Sequence, residues 1–80
     1  MPARTAADVK TNPQPGDVVK FQSILTGPYT RTVGGFSGGY FYYTATYEDG
    51  SQLQTTASVR DWRKWVKDAE VITIAGGADA

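Results

Sequence analysis

The chain contains no cysteine and no histidine. Without thiols there is no disulfide framework to brace a small fold, no cysteine-based zinc site and no sulfur nucleophile. Without imidazole the commonest general base and a frequent metal ligand are missing as well. The longest apolar run, VITIA from Val71 to Ala75, falls far short of the roughly 20 residues a membrane-spanning helix needs. The opening MPARTAADVK has no apolar core of the secretory kind, so a soluble cytoplasmic protein is expected. Charge of one sign is not in excess either. Eight Lys and Arg balance eight Asp and Glu, so no global field draws the chain toward nucleic acid or anionic lipid. With 80 residues, only about 60% of the unfolded surface is buried on folding, and a homo-oligomer is one way to bury more.

What is present begins with a poor segment. Residues 1–15 hold Pro2, Pro13 and Pro15 among small and polar residues, with Val9 the sole large aliphatic after Met1. So little apolar area predicts a flexible arm, dispensable for folding. The ending GGADA, residues 76–80, predicts a flexible tail. The folded domain is then residues 16–75. Within it, VVKFQ after the turn signal Pro15-Gly16-Asp17 alternates, placing Val19 and Phe21 on one face. Tyr29 to Gly35 is β-branched and strand-like, FSGG forms a tight connection, and Tyr40 to Tyr47 is a long strand. Glu48-Asp49-Gly50 is a hairpin turn with Gly50 suited to positive φ, and Ser51 to Thr56 completes the hairpin.

The period then changes. Val59, Trp62, Val66 and Ala69 recur at helical spacing, Ser58 is an N-cap, and Asp61 follows three places later as in a capping box. VITIA closes the domain as a last strand. The order predicts a mainly β protein of about five strands with one short helix before the last. Its layout resembles small SH3-like barrels, on PGDVVKF at the start, a long loop before Tyr29 and the late helix. A β-rich α+β fold with one helix across a sheet is the alternative.

Four consecutive aromatics, Tyr40 to Tyr43, stand between glycine pairs and the acidic turn. Alternation sends Phe41, Tyr43, Ala45 and Tyr47 to the core face and Tyr40 and Tyr42 to the other. Phe36, Tyr40 and Tyr42 are therefore candidates for an aromatic platform, against the plainer expectation of cross-strand pairing. GGFSGG lacks the lysine and the following helix that a phosphate-binding loop requires. On the helix, Arg60, Arg63, Lys64 and Lys67 lie opposite the apolar arc, so half the basic residues share one face. Asp61 and Asp68 temper that face. It serves either as solvated surface or as contact to phosphates or an acidic partner. Trp62 falls mid-arc and belongs to the core; Trp65 falls off it and is the contact candidate.

No serine has an evident activating partner, and Glu48 and Asp49 sit adjacent in an exposed turn, so neither supports catalysis. Gly16-Asp17 and Gly50-Ser51 resemble positions in the plasmid-borne type II dihydrofolate reductases, SH3-like chains with a disordered arm that build one pore from four copies. That resemblance implies an oligomeric reductase, with Gln54 near the family's pore glutamine. The isoleucine and tyrosine of the family's pore strand have no match in QLQTT, and fold does not carry function. The residues together predict a small non-catalytic module, without cofactor or metal, acting through protein contact. A phage or mobile-element accessory protein that binds or inhibits a host factor would fit. A nucleic-acid-binding module using the helix stripe and the tyrosines is the alternative, and the reductase-like enzyme a further one.

Overall fold

The computed structural model describes residues 5–25 and 27–75. Residues 1–4 of the expected arm and the expected tail, 76–80, lie outside the described residues. The chain forms α1 (Ala6–Thr11), β1 (Val18–Phe21), β2 (Tyr29–Ser37), β3 (Tyr40–Thr46), β4 (Gln52–Ser58), α2 (Val59–Trp65), a 3₁₀ turn (Val66–Asp68) and β5 (Glu70–Thr73). The five strands make one sheet in the order β4-β3-β2-β1-β5, antiparallel throughout. The protein is mainly β with a short helix before the last strand, as the periodicity predicts.

Local chemistry accounts for the connections. Gly38 and Gly39 both adopt positive φ, at 58° and 86°, between the paired residues Ser37 and Tyr40. This is the two-residue hairpin turn whose twist suits adjoining strands and which disfavours side chains at both positions. In the next turn Asp49 accepts bonds from Ser51 Oγ and Ser51 N–H. Those bonds, the side-chain one foremost, hold its carboxyl below the ordinary carboxylate range. Ser58 caps α2 by accepting from Asp61 N–H.

Cross-strand partners put Val19, Val33, Phe41, Tyr43, Ala45 and Ala57 on one face of the sheet, all of them buried. The helix lays Trp62 and Val66 onto that face, with the Trp62 and Phe41 rings edge to face at 5.3 Å. The buried arc of α2 is therefore the expected one. The helix itself is shorter than its apolar pattern implies, because the last turn tightens to 3₁₀. Three residues per turn keeps Val66 and Ala69 aligned equally well.

The segment expected to be a flexible arm departs from that expectation over residues 5–15. Thr5 and Asp8 form a reciprocal capping box that starts α1. Val9 is fully buried in the main core cluster, and Pro13 is buried too. The indole Nε1–H of Trp62 donates to the Val9 carbonyl at 3.0 Å, Arg63 Nε–H to the Thr11 carbonyl at 2.6 Å, and Lys10 Nζ to the Lys67 carbonyl at 3.0 Å. A helix this short is unstable alone. Docking on α2 supplies what its own composition does not.

Asp17 ties this segment to both ends of the domain. Fully buried, it accepts from Gln14 N–H and Ala75 N–H through its two carboxylate oxygens, at 2.7 Å each. Its own carbonyl accepts from Val33 N–H at 2.8 Å. Asp17→Ala leaves two backbone donors without their charged acceptor and is expected to lower stability by on the order of 3 kcal/mol in chemical denaturation. A loss under about 0.5 kcal/mol, the range of ordinary surface substitutions, would show the knot to be incidental.

Candidate functional site

The expected aromatic platform divides between the two faces of the sheet. Val33 pairs with Tyr43 and Phe36 with Phe41, so Gly34 and Gly35 together oppose the single residue Tyr42. This β-bulge reverses the alternation beyond it. Phe36 consequently shares a face with Phe41, its ring 5.5 Å away, while Tyr40 and Tyr42 point to the opposite side. The bulge glycines make room for Tyr42, whose Cβ lies 3.4 Å from where a side chain at Gly34 would begin. Tyr40 and Tyr42 remain exposed, beside a recess of about 230 Å³ shared with Ser37, Phe41 and Thr56. Phe36 is not part of that platform.

The basic stripe is likewise broken up. Arg60, Lys64 and Lys67 are exposed, but Arg63 is committed through Nε to the end of α1. Trp65, expected at the contact surface, is 39% exposed with one face occupied: its ring meets Tyr43 edge to face at 6.1 Å and carries the Arg31 guanidinium 4.7 Å from its centre.

Arg31 is the residue that sequence reasoning passed over. It lies on the inner face of β2, between Val19 of β1 and Ala45 of β3. Its Cζ sits 4.6 Å from the Phe21 ring centre, 4.7 Å from Tyr43 and 5.6 Å from Tyr29, in addition to Trp65. Behind it the rings of Phe21, Tyr29 and Tyr47 stack in a row at 5.3 and 5.2 Å. The row ends at an open groove lined by Tyr47, Glu48, Asp49 and Ser51. The loop joining Phe21 to Tyr29 presents Ile24 and Leu25 almost wholly to solvent. The ring row and this groove form a mouth at the end of the sheet's inner face, with Arg31 at its inner end.

The electrostatics of the mouth are lopsided. Arg31 Nε and Nη1 are buried without any hydrogen-bond partner, and Nη2 makes only a 3.5 Å approach to Tyr29 Oη. No carboxylate among the described residues pairs with it. Glu48, beside the row, packs its carboxylate against Gly27, where any added side chain would collide with it. Stacking on desolvated rings contributes up to about 2 kcal/mol per ring. Against that, bringing a guanidinium out of water costs several kcal/mol, and each unfilled buried donor roughly 1–3 kcal/mol more. The cage holds the cation in place but leaves Nε and Nη1 without acceptors among the described residues.

A signal for this site is present in YTRTV. Tyr29, Arg31 and Val33 share one parity, so period-two alternation puts the arginine on the apolar side.

No protein-family model, no curated protein and no solved structure matches this chain.

Proposed function

We propose that this chain is a small SH3-like binding module that acts through protein contact, and that its mouth receives an acidic side chain of the partner. The meander β1-β2-β3-β4, with a helical return to β5 beside β1, supports the SH3-like assignment. The observation that carries the functional reading is Arg31: a cation fixed among four rings, with two buried nitrogens unfilled and no counter-charge among the described residues. A carboxylate binding side-on engages Nε, one of the two unfilled nitrogens, together with Nη2, the bidentate geometry in which arginine recognises acids. Trp65, half exposed at the end of α2, is the ring that shifts to admit it. Ile24 and Leu25, exposed on the loop between β1 and β2, offer apolar surface to such a partner, since interfaces combine a desolvated anchor with surrounding surface.

The test follows the Arg31 Nε–H resonance by NMR during titration with a blocked tripeptide carrying glutamate between two leucines. A glutamine counterpart and a single-stranded oligothymidylate serve as comparisons. Only the glutamate peptide is expected to shift the signal, with roughly millimolar affinity for so small a probe. Arg31→Met, followed through the Trp65 indole N–H resonance, is expected to abolish binding while leaving stability unchanged or raising it by about 1–4 kcal/mol, as when buried charges yield to apolar groups. Equal shifts from the glutamine peptide, or no shift from either, would reject the acidic-partner reading. A shift from the oligonucleotide that weakens steeply with salt would favour nucleic acid instead.

A further inference from the structure

The sheet has two edges, β4 and β5, and they are unequally guarded. β5 is four residues long, begins at Glu70 and meets β1 across a register shift. Shortness, charge and irregularity are the devices that keep an edge from pairing with another chain. β4 has none of them. It runs seven residues in unbroken register with β3, and no charge or proline occurs from Ser51 to Val59.

The outward-facing backbone groups of β4 follow from the hairpin. Tyr47 N–H donates to the Ser51 carbonyl at 2.9 Å, which marks residues 47 and 51 as a hydrogen-bonded pair. Such pairs alternate along an antiparallel ladder. Leu53, Thr55 and Ala57 therefore turn their N–H and C=O toward β3, and Gln52, Gln54 and Thr56 turn theirs outward. Those three residues are exposed, and so is Leu53, at 56%, although its side chain lies on the inner face.

We propose that β4 is a homodimer interface, in which two copies pair antiparallel about a twofold axis at Gln54 and join their sheets edge to edge. In that register Gln54 faces Gln54 of the second copy, and Gln52 faces Thr56. The three hydrogen-bonded pairs supply about six backbone bonds. Leu53 gains Thr55 of the second copy as its inner-face neighbour. No like charges meet along the strand. β5 of another copy fits less well, because it offers four residues and its charged start, and β4-to-β5 pairing would propagate rather than close. The interface uses the backbone edge of β4 and neither Arg31 nor the rings around it, so either can fail without the other.

Sedimentation equilibrium over a concentration series tests it, together with amide hydrogen exchange. The wild-type chain is expected to dimerise with a dissociation constant between roughly 1 μM and 1 mM. Exchange at Gln52, Gln54 and Thr56 should slow as concentration rises. Gln54→Pro removes an N–H that the β3–β4 ladder does not use, so it should give a monomer with unchanged far-UV circular dichroism. Gln54→Lys sets like charges face to face and should weaken the dimer by about tenfold or more, with partial recovery in high salt. A wild-type chain that stays monomeric to about 1 mM overturns the proposal. So does a dimer indifferent to both substitutions, or one in which the Gln54 amide exchanges as freely as in the monomer.

Discussion

Removal of residues 1–14 is expected to leave the chain without a cooperative melting transition. The deletion takes Val9 and Pro13 out of the core, uncovers Trp62 and strips the indole Nε1–H of its acceptor. Burial of one aliphatic side chain contributes roughly 1.5–3 kcal/mol, and an orphaned buried donor costs about 1–3 kcal/mol. Re-exposing part of an indole adds further loss at about 25 cal/mol per Å². The total is on the order of 5 kcal/mol. A domain of this length has roughly 4–12 kcal/mol to lose. Differential scanning calorimetry of the truncated chain provides the measurement. A transition within a few degrees of wild type would mean that α1 rests on the domain without supporting it. Val9→Ala gives a milder version of the same experiment and should lower stability by about 1–3 kcal/mol.

Trp62→Ala is expected to cost on the order of 3–5 kcal/mol, enough to bring the fold to its limit. Trp62 is fully buried and joins three parts of the molecule: the Phe41 ring on β3, the apolar arc of α2 and the carbonyl of Val9 in α1. Trp62→Phe keeps an aromatic ring but removes the donor to Val9 and part of the buried ring volume, so about 2–3 kcal/mol of loss is expected there, less than for alanine. Trp65→Ala supplies the contrast. It removes a half-exposed ring resting on Tyr43 and beneath Arg31, so stability should fall by less than in Trp62→Ala while the environment of the Arg31 guanidinium changes. Equal destabilisation by Trp62→Ala and Trp65→Ala, measured by urea denaturation, would contradict the assignment of one to the core and the other to the mouth.

Much of the sheet was legible because its determinants are local. Alternation in YFYYTA separated Phe41, Tyr43 and Ala45 from Tyr40 and Tyr42, and the burial follows that division. The platform of Phe36 with the two tyrosines was not legible. It required an uninterrupted register, and the paired Gly34 and Gly35 were consistent with either a plain strand or a bulge. Only the pairing of β2 with β3 selects between them. The basic helix face was legible as a face, but not its use. That Arg63 reaches the Thr11 carbonyl depends on a helix the composition did not announce.

By itself the sequence determined which segments become strands and which side of α2 is buried, although Phe36 and Ser37, expected in the connection, extend β2 and leave the turn to Gly38 and Gly39. Those outcomes rest on side-chain periodicity, on glycines at positive φ and on the Ser58 cap, each acting over a few residues. The tertiary structure decided the rest. It docked a six-residue helix that holds one large apolar side chain, through bonds from Trp62, Arg63 and Lys10 to backbone carbonyls, which no sequence pattern encodes. It also gathered Phe21, Tyr29, Tyr43 and Trp65 around Arg31 from four separate elements. A cation enclosed by rings is a property of long-range packing, because the free energy of holding the charge there depends on neighbours that meet only once the sheet has formed.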